Sequence, residues 1–79
     1  MSSTVVAKIL DVKGVLCPIP VLKAKQAISQ VAPGAVLEII ATDPAAKEDI
    51  PAWARRAGHD LLSMQEENDT IKFYVKRGR

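Results

Sequence analysis

The chain has 79 residues, of which 48% are apolar and 25% charged, with a formal net charge of +2. That balance describes one folded domain spanning 1–79, near the lower size at which a hydrophobic core holds alone, and it excludes a disordered chain. One cysteine, Cys17, excludes an intramolecular disulfide, and with a single histidine, His59, it excludes the usual structural zinc site. Stability then rests on packing, with self-association as an added source and the oligomeric state left open. A charge of +2 makes no strong electrostatic case for nucleic acid. No stretch approaches the length of a membrane span. Met1 to Ala7 lacks the basic start and apolar run of a signal peptide. A free thiol without such a signal points to the reducing cytoplasm.

Residues 5–10 are rich in β-branched side chains and are expected to form a strand. Asp11 to Gly14 leads out of it, and Gly14 suits a backbone conformation that a larger residue resists. Next comes Cys17-Pro18-Ile19-Pro20. Proline costs little in the first turn of a helix, where N–H groups have no intrahelical partner. Ile19 precedes Pro20 and is pushed away from the helical region, which favours a regular start at Pro20. Whether the helix begins there or earlier, the thiol sits at or just ahead of its N-terminus. The positive end of the helix dipole stabilises a thiolate, the reactive form of cysteine. The competing reading of Cys17 is a small buried hydrophobe, which is how free cysteine most often behaves.

Val21, Ala24, Ile28 and Val31 form an apolar stripe, with Lys23, Gln26 and Gln30 on the opposite side and Ala32-Pro33-Gly34 as the stop. The nearly unbroken apolar run from Ala35 to Thr42 predicts a strand inside the sheet, parallel to the first because a helix connects them. Asp43 and Asp49 are alternative caps for a second helix. Its stripe is Ile50, Trp53, Ala54 and Ala57, with Arg55 and Arg56 outward and Gly58 as the stop. Residues 59–66 form a third strand with Leu62 and Met64 on one face, and Glu67-Asn68-Asp69 turns the chain. Ile71, Phe73 and Val75 then alternate with Lys72, Tyr74 and Lys76 in the last strand, and the basic tail to Arg79 is expected to fray. The order is β-α-β-α-β-β, with both helices on one face of the sheet and the other face partly exposed as a partner or dimer surface.

The run Leu10-Asp11, Gly14, Leu16, Cys17-Pro18-Ile19-Pro20, with Gly34, Thr42-Asp43-Pro44, Asp49-Ile50-Pro51, Trp53 and Gly58-His59, resembles the TusA (SirA-like) family of small sulfur-carrier proteins. The resemblance covers nearly the whole chain. It implies a two-layer α/β sandwich with a four-stranded mixed sheet. It also implies a sulfurtransferase role in which Cys17 receives sulfane sulfur as a persulfide and passes it on. Donors in the family are cysteine desulfurases and rhodanese-type sulfurtransferases. Destinations are tRNA thiolation, molybdenum-cofactor synthesis and sulfur-oxidation or thiosulfate pathways.

Only Cys17 matches the family's sulfur-bearing position, Pro18 and Pro20 match its flanking prolines, and Gly14 supports the same segment. Asp43, Pro44 and Asp49 match motif positions that are structural or partner-facing. Lys23 and Lys25 read first as a solvated face and second as a dock for an acidic partner. No metal or cofactor is required, and no catalytic role is assigned to His59. A lone thiol suits a carrier, because a resolving cysteine would expel the bound sulfur as a disulfide formed. The competing classes are a regulatory or RNA-binding module and a thiol redox sensor. The first has only Tyr74 as an obvious stacking residue. The second needs an intermolecular disulfide or a glutathione adduct.

Overall fold

The computed structural model describes residues 6–16 and 18–79. In chain order the elements are β1 (Val6–Val12), α1 (Ile19–Ile28), β2 (Val36–Ala41), α2 (Ala46–Ala57), β3 (Asp60–Glu67) and β4 (Thr70–Lys76). The strands form one four-stranded sheet in the order β1-β2-β4-β3. β1 and β2 run parallel, while β4 pairs antiparallel with both β2 and β3. This is the mixed sheet with two helices that the sequence predicts.

β2 is a central strand, with β1 and β4 on its two edges, and is apolar apart from Glu38. Leu37, Ile39 and Ala41 are fully buried beneath the helices, whereas Glu38 and Ile40 lie on the other face, half-buried. The cross-strand register carries that division outward. Leu10 and Val12 pair with Ile39 and Ala41, and on the other side Val75, Phe73 and Ile71 pair with Leu37, Ile39 and Ala41. Ala24, Ala27 and Ile28 of α1 and Ala46, Ile50, Trp53 and Ala54 of α2 close over this surface. Small alanines let both helices approach the sheet closely. Among the described residues no polar or charged side chain is buried.

Four local expectations give way to the structure. α1 begins at Ile19, with Pro18 as its N-cap, rather than at Pro20. The Ile19 N–H donates to the Leu16 carbonyl at 3.1 Å and the Leu22 N–H to the Pro18 carbonyl at 3.2 Å, so the first turn is already closed. At its other end α1 stops at Ile28, ahead of the Ala32-Pro33-Gly34 breaker. The Gln30 and Val31 N–H groups donate to Ala27 and Ile28, tightening the last turn, and the Ser29 hydroxyl donates to the Gln26 carbonyl at 2.7 Å.

In β3 the register shifts between Leu61 and Ser63. Leu61 therefore pairs with Val75 and Met64 with Phe73 on the helix-facing side, and Leu62 is the extra residue rather than Met64's neighbour on one face. The tail is tied down rather than frayed. The Gly34 N–H donates to the Arg77 carbonyl and the Arg77 N–H to the Ala35 carbonyl, both at 2.8 Å. The Arg77 guanidinium donates to the Val31 carbonyl at 2.6 Å, and the Gly78 N–H donates to His59 Nδ1 at 3.0 Å.

The burial pattern separates core from surface sharply enough to test. Leu37→Ala removes a fully buried side chain and should lower unfolding free energy in urea by about 2–5 kcal/mol. Ile9→Ala, at a position 59% exposed on the open face, should change it by less than about 0.5 kcal/mol.

Candidate functional site

Parallel pairing of β1 with β2 brings their ends together, since Val12 pairs with Ala41. The loop to α1 and the loop to α2 therefore leave the same edge of the sheet, and both helix N-termini lie there. The first loop opens with a turn in which the Lys13 N–H donates to Asp11 Oδ1 at 3.0 Å while Lys13 Nζ lies 3.3 Å from Oδ2. These contacts, the backbone N–H first, hold the exposed Asp11 carboxyl below its ordinary pKa. Gly14 follows with φ of +79°, the left-handed region that glycine occupies without strain. Its N–H donates to the Thr42 hydroxyl at 2.8 Å, which ties this loop to the end of β2.

Cys17 lies outside the described residues; its neighbours in the chain, Leu16 and Pro18, frame the position. Pro18 caps α1, Pro20 is fully buried beneath it, and the helix's first turn has no acidic side chain to oppose an anion. Three apolar side chains near the thiol's place in the chain face solvent: Leu16 at 71% exposure, Leu22 at 51% and Ile19 at 47%. The apolar stripe of α1 leaves them out, because a stripe marks residues that point into the core. Their signal in the sequence is that they are apolar yet fall off the Ala24–Ile28 stripe.

The other positions named from sequence divide. Asp43 acts ahead of α2, where its Oδ1 accepts the Ala45 N–H at 3.1 Å and its carbonyl accepts the Ala46 N–H at 3.0 Å. Asp49 is not a cap; it lies inside the first turn of α2, where its charge favours the helix dipole. Lys23 and Lys25 point to different flanks of α1. Lys23 lines a shallow surface with Lys8, Gln26 and Gln30, while Lys25 lines a groove of about 390 Å³ with Ile28, Trp53, Arg56 and His59. That groove is at the C-terminal ends of the helices, away from the cysteine loop.

His59 stands there too, one helix length of about 18 Å from the start of α2. It follows Gly58, whose φ of +84° ends the helix, and its ring meets Trp53 with centroids 5.5 Å apart. Burial lowers its pKa from the ordinary 6.5, the cations of Arg77 and Arg79 lower it further, and Asp60 partly opposes them. Its accepting Nδ1 is also the atom that holds the tail. Among the described residues, no group of three His, Cys, Asp or Glu side chains is arranged to hold a metal, and no helix is long and apolar enough to cross a membrane.

Comparison with known proteins matches residues 8–77 to the family described as Sulfurtransferase TusA. The chain is 44% identical over 71 residues to YrkI of Bacillus subtilis, covering 90% of this chain and 95% of that one. It is 38% identical over 68 residues to the sulfur carrier protein TusA of Allochromatium vinosum, covering 86% and 90% of the two chains. Among solved structures, the SirA-like protein of Desulfitobacterium hafniense superposes with a TM-score of 0.78 over 91% of this chain and 99% of its own, at 22% identity. That likeness shows the shared fold.

The lowered pKa of His59 sets a pH dependence. Between the folded value and 6.5 the unfolded chain binds the extra proton, so the contribution of neutral His59 is complete above pH 6.5 and is lost as pH falls through the folded value. Thermal unfolding followed from pH 8 to pH 5 should show the wild-type midpoint falling below pH 6.5, with a flatter profile in His59→Gln.

Proposed function

The chain belongs to the TusA sulfurtransferase family, and on that premise we propose that it is a sulfur carrier whose Cys17 bears the sulfur as a persulfide. One observation carries the assignment to this residue. The chain's single thiol directly precedes, in sequence, Pro18, the N-cap of α1; the first turn of that helix holds no acidic side chain, and the neighbouring Leu16, Ile19 and Leu22 are exposed.

The Cys17 thiolate attacks the outer sulfur of a donor persulfide. The donor's S–S bond breaks, its thiolate leaves, and a new S–S bond holds the sulfur on Cys17. An acceptor thiolate then attacks that outer sulfur and releases the Cys17 thiolate. Each step is an exchange at sulfur, so no oxidant, metal or organic cofactor is consumed. The half-charge at the α1 N-terminus favours the thiolate that attacks and the thiolate that departs.

Donor and acceptor are proteins in this reading: a cysteine desulfurase or rhodanese-type enzyme supplies the sulfur, and a further carrier or thiolation enzyme takes it. The downstream use is tRNA thiolation, molybdenum-cofactor synthesis or sulfur oxidation. A reducing compartment such as the cytoplasm suits an unpaired thiol. The exposed apolar trio supports a protein partner over nucleic acid, since a protein surface can cover Leu16, Ile19 and Leu22 and exclude water from the transferring sulfur. Asp43 is half-buried at the same edge and is in reach of such a partner, whereas Lys25 is on the opposite end of α1.

Incubation with a cysteine desulfurase and cysteine, or with a rhodanese and thiosulfate, followed by intact-protein mass spectrometry, should add one or more sulfur atoms to the reduced chain. Reductant should remove them, and Cys17→Ser should gain none while keeping the wild-type unfolding midpoint. If the wild type gains sulfur from neither donor, the carrier reading fails. Leu22→Glu should slow loading by about tenfold, as loss of a central interface residue does. At 51% exposure its stability should shift by less than about 0.5 kcal/mol.

A further inference from the structure

We propose that His59 is a pH-operated latch, whose neutral ring holds Gly78 and Arg79 against the C-terminal end of α2 and whose protonated ring releases them. The segment beyond β4 is held in two stages. Arg77 exchanges backbone bonds with Gly34 and Ala35, both at 2.8 Å, and its guanidinium donates to the carbonyls of Val31 and Arg79. Every acceptor in that first stage is a carbonyl oxygen, which does not titrate. One residue on, the acceptor changes: the Gly78 N–H donates to His59 Nδ1 at 3.0 Å.

A neutral imidazole has one accepting nitrogen, and the Gly78 bond makes it Nδ1, with the ring proton on Nε2. The imidazolium carries a proton on both nitrogens, so the same geometry would set N–H against N–H. The surroundings add to that opposition. Lys25 of α1 and Arg56 of α2 line one groove beside the ring, and Arg55 lines another with Asp60 of β3. Arg77 and Arg79 bear on the ring as cations, and Lys76 of β4 stands opposite Asp60 in the register. Asp60 is the one acid among these groups. The ring itself is half-buried and lies against Trp53, centroids 5.5 Å apart, which fixes it where the bond needs it.

The receiving end is shaped for the segment. α2 ends at Gly58, and the place where a Cβ on Gly78 would sit is taken by the Gly58 carbonyl. Gly78 is therefore a glycine because two backbones meet there, and a side chain would push the segment away whatever the state of His59. Burial and the neighbouring cations set the switch below pH 6.5. The latch is fully closed above that value and opens as pH falls through the folded value. It lies at the end of the helices away from the cysteine loop, so it works independently of the sulfur chemistry.

The test follows the 15N-labelled protein by NMR from pH 8 to pH 5. The Gly78 amide should move toward its unstructured position with the same midpoint as the His59 ring. Its order parameter should fall from about 0.85 to below about 0.6. The amides of buried Ile39 and Phe73 should stay in place and so report that the fold is intact. His59→Asn sets a non-titrating oxygen near the place of Nδ1 and should keep Gly78 ordered at both ends of the range. His59→Leu has no acceptor and should leave it released at both. Gly78→Ala should also be released at both, and by linkage its His59 should bind the proton about fivefold more tightly, the scale of one net hydrogen bond. A Gly78 amide that stays ordered through the His59 titration overturns the proposal. So does release in His59→Asn at the wild-type midpoint, which assigns the change to another group, or an unaltered His59 titration in Gly78→Ala.

Discussion

The parallel pairing of β1 and β2 is the constraint on which the rest of the molecule depends. Two adjacent parallel strands need a connection between them that returns along the sheet, β3 runs parallel to β2 and so needs a second, and here both returns are made by helices on one face. Both helices consequently start at the edge where the two strands end. The positive poles of two helices and the two connecting loops are gathered at one rim. An antiparallel arrangement of the same strands would have sent the loops to opposite ends. β4 then pairs antiparallel with β2 and covers its second edge, which is why β2 carries fully buried Leu37, Ile39 and Ala41 at the centre of the core.

The sequence made much of this arrangement readable, and its failures have local causes. Ile71, Phe73 and Val75 announced β4 because a strand with one face covered must alternate, and the three are buried as expected. Gly58 ended α2 because a left-handed residue suits glycine best. Leu62 was misassigned because alternation counts residues, and a bulge adds one to the count. The tail was misread because its restraints come from Val31, Ala35 and His59, contacts between distant segments that no local pattern reveals. α1 was expected to run to its proline-glycine breaker, but three-residue hydrogen bonds closed it sooner. A breaker bounds a helix without requiring it to extend that far.

The sequence placed the cysteine segment at the start of a helix, which α1 bears out, and was less informative about the surroundings. A cysteine followed by prolines at the next and the third positions, both of which suit a helix start, is a local signal, and the order Gly14, Cys17, Pro18, Pro20 could be weighed directly. Asp43 and Asp49 could not be ranked by sequence, since either spacing is compatible with a cap. The hydrogen bonds to Ala45 and Ala46 distinguish them. Lys23 and Lys25 looked equivalent because they are two residues apart, yet two residues on a helix are about 200° apart, and each serves a different flank. The exposure of Leu16, Ile19 and Leu22 went unread for a related reason: they fall off the apolar stripe of α1, and a stripe marks only the residues that pack inward.

The division between an entirely apolar interior and a chemically equipped rim has a mechanistic consequence. With no polar side chain buried among the described residues, the fold stores no charge whose state must change for a sulfur to be transferred. The rim is made of the positive pole of α1, the exposed side chains of Leu16, Ile19 and Leu22, and a loop held by the Val12 carbonyl on one side and the Thr42 hydroxyl on the other. The apolar packing holds the sheet and helices, and the polar contacts that shape the rim lie outside it, so the two are built from different residues.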